Sequence, residues 1–77
     1  MNNLSTEKLG AVIRARRKEL KVTQKDVAMT CGTGLRFIIE LEKGKPSCQI
    51  SKVLQVLQAL GLKLNITTPG KHRDLKP

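Results

Sequence analysis

Residues 23–43, TQKDVAMTCGTGLRFIIELEK, carry the reading of this chain. Thr23 has the hydroxyl of a helix N-cap, and Asp26 stands three positions on, where its carboxylate can return a hydrogen bond in a near capping box. Val27, Ala28 and Cys31 then fall on one face of a short helix, with Ala28 small enough to let a neighbouring helix approach closely. Gly32 supplies a residue tolerant of the left-handed conformation that ends such a helix. Thr33 is the expected N-cap of a second helix running from Gly34 to about Lys43, which Gly44 stops. Phe37, Ile38 and Leu41 form its apolar side, while Leu35, Arg36, Ile39, Glu40 and Lys43 face the other way. Helix, tight turn, helix is the expected outcome.

The flanks supply support for this pair. Ser5 is placed to cap a first helix that opens with Glu7 near its positive end and runs to about Leu20. Its inward stripe is predicted as Leu9, Val12, Ile13, Arg16 or Arg17, and Leu20. A cation on or beside a buried face demands a carboxylate, because an unpaired buried charge is costly. Glu42, one turn beyond Ile38, occupies the equivalent inward position on the other helix. The spacing therefore predicts an Arg17–Glu42 ion pair, the alternative being two separately solvated side chains. Pro46 and Ser47 are expected to start a fourth helix through Leu60, with Ile50, Val53, Leu54, Leu57 and Leu60 at core spacing and Gly61 as its stop.

Residues 62–67, LKLNIT, alternate apolar and polar side chains with the period of a half-buried strand. No second strand can be read in the chain. Leu62, Leu64 and Ile66 are thus expected to pair with the same segment of a second copy across a twofold axis, as a homodimer, unless the segment simply extends and packs. The domain plan is a lead at 1–5, a helical domain at 6–61 with its motif at 23–43, a dimerisation strand at 62–68, and a flexible tail at 69–77. The fold class is all-α, a compact four-helix bundle with one short C-terminal strand.

Composition narrows the chemistry. Seventy-seven residues make one small domain, able to bury only about 60% of its unfolded surface, so a partner subunit would add stability. Fifteen Lys and Arg against six Asp and Glu give a net charge of +9, which attracts polyanions and makes binding to them salt-dependent. Solubility is the plainer explanation of that charge. Phe37 is the single aromatic residue, which disfavours single-strand and RNA modules built on stacking platforms and leaves duplex DNA as the favoured partner. Cys31 and Cys48 lack paired zinc-ligand spacing, and the one histidine, His72, lies in a polar tail, so no metal or other cofactor is expected. The residues assemble no catalytic constellation, and the expectation is a protein without enzymatic activity. No signal peptide and no apolar run near ~18 residues is present, which predicts a cytoplasmic, nucleoid-associated protein of bacterial type with no membrane partner.

A helix-turn-helix in a basic chain reads duplex DNA by laying its second helix in the major groove. Gln24, at the start of the first motif helix, is expected to clamp a phosphate together with exposed backbone N–H groups, its plainer role being only to start the helix. Thr33, Leu35, Arg36 and Glu40 are the expected groove-facing side chains: Arg36 for guanine, Glu40 for a cytosine amino group, Leu35 for a thymine methyl. Arg36 and Glu40 also have the i, i+4 spacing of a mutual ion pair, weak in this order. Lys43 and Lys45 are expected on phosphates. Arg14, Arg16, Lys18 and Lys21 fit a solvated face as well as a DNA contact. A dimer would place two recognition helices roughly 34 Å apart and call for a palindromic operator.

The segments LGAVIRARRKEL (9–20), KVTQKDVA (21–28) and TCGTGLRFIIELEKGKPS (30–47) resemble the phage-repressor and Cro type of helix-turn-helix domain, the XRE family, over about Leu9 to Leu60. The matching positions are Arg17 and Glu42 as paired charges, Gln24 opening the second helix, Ala28 in its core, Gly32 in the turn, and Glu42-Lys43-Gly44-Lys45 closing the third. The resemblance implies a lambda-repressor-like fold. Gly34, Leu35 and Glu40 depart from the amide-rich reading set of well-known phage repressors, so the operator does not carry over. The continuation ISKVLQVLQALGLKLNI (50–66) is similar to HipB-type antitoxins. That similarity implies a dimeric repressor of its own operon, acting with a HipA-like serine/threonine kinase toxin or with an associated antitoxin. A stand-alone or prophage-type regulator without a toxin, and a protein-interaction module that lacks DNA binding, are the competing readings.

Overall fold

The computed structural model describes residues 5–67, and these form four helices: α1 (Thr6–Glu19), α2 (Gln24–Cys31), α3 (Leu35–Lys43) and α4 (Ile50–Ala59). Met1 to Leu4, Thr68 at the end of the expected strand, and the expected tail at 69–77 lie outside the described residues. α3 packs against both α1 and α2, and α2 packs against α4.

Local chemistry sets most boundaries as read. The Lys8 amide donates to Ser5 Oγ at 3.1 Å, and Arg16, Arg17 and Lys18 fill the last turn of α1, where cations complement the helix dipole. Both halves of the capping box open α2: the Asp26 amide donates to Thr23 Oγ1 at 3.0 Å, and the Thr23 amide donates to Asp26 Oδ2 at 2.9 Å. The Thr23 amide, and after it the Thr23 hydroxyl, hold the Asp26 carboxyl below its ordinary value by hydrogen bonding to its charged form. Gly32 closes α2 in the left-handed region, at φ 70°.

The core is aliphatic. Ile13, Val27, Ala28, Ile38, Leu41, Val53, Val56, Leu57 and Leu60 are buried, with Leu9, Val22, Cys31, Phe37, Cys48 and Leu62 packed partly against them. Two expected stripes are rotated in part. On α1, Leu9, Ile13 and Arg17 face inward as expected, while Val12 and Leu20 are exposed and Gly10 is buried instead. On α4, residues 50, 53, 54 and 57 compete with 53, 56, 57 and 60 for the inward face, and the helix buries the second set. Val56 is therefore fully buried, while Ile50 and Leu54 are exposed. The helix also starts later than expected. Pro46 and Ser47 lie in a turn, and Gln49, extended at ψ 124°, is the N-cap without a side-chain hydrogen bond.

One further expectation is corrected. Gly34, not Thr33, is the N-cap of α3, with no side-chain cap; the Thr33 hydroxyl donates instead to the Gly34 carbonyl at 3.3 Å. Residues 62–67 form no strand among the described residues. A strand needs a ladder partner, and the partner expected for residues 62–67 is the same segment of a second copy.

The α1–α3 packing depends on Gly10. A Cβ there would lie 2.5 Å from the Leu41 carbonyl oxygen and 2.7 Å from that of Glu42. Alanine would raise helix propensity by about 1 kcal/mol yet force the helices apart. Gly10→Ala is expected to lower stability by about 1–3 kcal/mol, read as a lower urea midpoint. A midpoint that rises would mean the α1–α3 packing yields freely.

Candidate nucleic-acid interface

One carboxylate joins three helices. Glu42, on the inward side of α3, is the one buried charged residue among the described residues. It accepts from Arg17 Nε at 2.6 Å and from Arg17 Nη2 at 3.1 Å, a bidentate pair across α1 and α3. A third bond comes from Gln24 Nε2, at 3.1 Å, from the first residue of α2. Arg17 also donates to the Val22 carbonyl at 2.9 Å, fixing the chain between α1 and α2. The guanidinium is held above its ordinary value by its hydrogen bonds to Glu42, against an opposing effect of desolvation. The expected pair is present, and it also orients the amide of Gln24.

On the outer side of α3, Leu35 and Arg36 are exposed in the first turn and Lys43 in the last, while Thr33 is half-buried in the turn before the helix. The Arg36–Glu40 pair does not form. Glu40 accepts from Lys45 Nζ at 3.2 Å instead, because the left-handed Gly44 turns the chain back so that the Lys45 amide also bonds the Glu40 carbonyl at 3.1 Å. Arg36 makes no ion pair among the described residues. Gln24 is half-buried at the rim of a cleft lined by Arg14, Arg17, Gln24, Ile39, Glu42 and Lys43. The seven residues expected to meet DNA thus lie on the turn, on α3 and the loop after it, and at the start of α2.

Sequence alone leaves a choice between Arg16 and Arg17 for the inward position of α1, and the structure uses both. Arg17 goes to α3. Arg16 Nε donates to the Leu60 carbonyl at the end of α4, at 2.9 Å, and Arg16 pairs with Glu19 at 3.3 Å. Gly10 escapes a reading of the sequence, since a glycine inside a helix pattern gives no sign of what it must approach. Cys31 and Cys48 are half-buried against the core, and burial pushes the Cys31 thiol up. No cluster of three or more potential metal ligands occurs among the described residues. None of their helices is long and apolar enough to cross a membrane.

Residues 10–66 match the family model described as a helix-turn-helix domain. The chain belongs to that family. Its resemblance to the phage-repressor and Cro type is thereby borne out, and the helix-turn-helix chain is a DNA-binding transcriptional regulator. It is 52% identical over 65 residues to the uncharacterized HTH-type transcriptional regulator y4mF of Sinorhizobium fredii, covering 84% of this chain and 86% of that one. Solved structures sharing the helix-turn-helix fold include a HipB–O4 20mer complex, with a TM-score of 0.79 at 19% identity, covering 88% of this chain and 96% of that one. A HipA–HipB–O2–O3 complex matches equally, with a TM-score of 0.79, 19% identity and the same coverage.

Proposed function

We propose that this regulator is a dimeric, sequence-specific repressor of its own operon and the antitoxin component of a HipA-like kinase toxin–antitoxin pair. The observation that carries the DNA-reading half is the three-helix junction at Glu42, which fixes α2 against α3 while Leu35 and Arg36 stay exposed on α3. A recognition helix needs that combination of a rigid mount and free outer side chains. The antitoxin half is supported by the fold shared with HipB, both on a DNA 20mer and with HipA. The stand-alone regulator is the second reading, in line with the 52% identity to the HTH-type transcriptional regulator y4mF.

Within this reading, Gln24 clamps a phosphate. Its amide nitrogen, already bonded to Glu42, has a second N–H to offer. Thr33, Leu35, Arg36 and Glu40 face base edges, and Lys43 and Lys45 meet phosphates. Glu40 must release Lys45 to accept from a base, which costs little because an exposed pair is worth about 0–1 kcal/mol. Leu62, Leu64 and Ile66 pair with the same residues of a second copy, and the operator is palindromic. Arg36→Ala is expected to cost about 1–3 kcal/mol at one base position, whereas Lys43→Ala weakens all duplexes alike. Competition binding against single-base operator variants separates the two. Equal losses on specific and random DNA for both substitutions would overturn the division.

The deciding experiment is a gel-shift titration on DNA from immediately upstream of the gene, with random duplex as competitor. Competitor-resistant binding to a palindrome is the expected result, and binding that random DNA abolishes would overturn the repressor. Co-purification with the product of an adjacent kinase-like gene supports the antitoxin role. A locus with no such gene leaves the stand-alone regulator.

A further inference from the structure

The cations of α1 divide into two sets. Arg16 is committed to Glu19 and to the Leu60 carbonyl, and Arg17 to Glu42. Arg14 and Lys18 are exposed and make no ion pair among the described residues. They lie on one stripe with Ala11 and Ala15, at i, i+3, i+4 and i+7, and all four positions are exposed. These four side chains line a cleft together with Glu42. Arg14 also lines the adjoining cleft with Gln24 and Lys43. The carboxylate common to both clefts is already matched by Arg17, so the net charge there comes from Arg14, Lys18 and Lys43.

We propose that Arg14 and Lys18 are phosphate-binding residues, forming a track on α1 that continues from the α2 start and Lys43 and holds the DNA backbone beyond the bases read by α3. The alanines matter as much as the cations, because small side chains between them let a sugar-phosphate strand come close enough for direct hydrogen bonding. A solvated face needs no such alternation and no continuity with the cleft at Gln24. The occupant is duplex DNA, since the track runs into residues already proposed to meet its phosphates. This inference rests on the DNA-reading half of the proposed function.

The test is the salt dependence of binding by the full chain, comparing wild type with Arg14→Gln/Lys18→Gln on the upstream duplex and on random duplex. Removing one cation that neutralises a phosphate makes the slope of log K against log salt shallower by about 0.9. The double variant is expected to change by about twice that per protomer on both duplexes, while its preference for the specific site is unchanged. Lys52→Gln, which removes one charge from α4, is expected to leave the slope within about 0.3 of wild type on the same scale. Circular dichroism establishes that the exposed substitutions leave the helices intact. A wild-type slope retained by the double variant overturns the track while leaving the repressor standing. A wild type that does not prefer the upstream duplex overturns the repressor itself, and a slope change on both duplexes in that case still supports the track as a generic phosphate surface.

Discussion

Glu42→Ala is expected to destabilise the domain by about 3–5 kcal/mol, because it strands Arg17, whose side chain is 11% exposed, with the Val22 carbonyl as its remaining acceptor. A domain of this size shifts by about 4–8 °C in Tm per kcal/mol. The thermal midpoint followed by circular dichroism should therefore fall by more than about 12 °C at the lower bound of these figures. A fall equivalent to less than about 1 kcal/mol would place the pair with ordinary surface bridges. Arg17→Met combined with Glu42→Leu separates stability from function. Apolar replacement of both partners of a buried pair is often neutral or stabilising, so the double variant is expected to recover most of the lost midpoint. Gln24 nonetheless has no acceptor left on α3 in that variant. Its DNA affinity should stay below wild type at equal helicity, which assigns to Glu42 a positioning role beyond its share of stability.

That experiment bears on what the sequence discloses by itself. Arg17 and Glu42 are legible because each is a charge at a position the helical period turns inward, and an inward charge must find its opposite. The caps at Ser5 and Thr23 and the stop at Gly32 are legible because they satisfy backbone groups a few residues away. What fails needs information beyond the periodic pattern of a single helix. Val56 and Leu54 are both apolar and differ by about half a turn, and only the neighbours of α4 decide which is buried. Thr33 has the chemistry of a cap, yet Gly34 carries the backbone conformation that begins α3. The Glu40–Lys45 pair arises from a chain reversal at Gly44, which i, i+4 reasoning within the helix does not see. Arg14 is ambiguous in the sequence because a cation at an exposed helical position looks the same whether it faces solvent or a cleft shared with Gln24.

Leu64→Lys tests the other half of the proposal, with the larger expected effect on DNA. Leu64 and Ile66 are exposed in the single chain, at 48% and 88%, while Leu62 is packed partly against the core. An anchored residue followed by two exposed apolar ones at alternate positions is the arrangement of a strand whose second side and ladder belong to another molecule. A lysine at the middle position puts a charge in that interface with no carboxylate nearby on residues 62–67 of either copy. Sedimentation should show monomers, and far-ultraviolet circular dichroism should show the four helices retained, since Leu64 lies outside the buried core. Two half-sites engaged together exceed one by about 10²–10⁴ through effective concentration alone. Affinity for the palindrome is expected to fall by that order while affinity for an isolated half-site holds. An unchanged dimer would move the interface to another surface, the exposed Ile50 and Leu54 of α4 being the next to substitute. A monomer that keeps full affinity for the palindrome would instead remove the homodimer from the mechanism of repression.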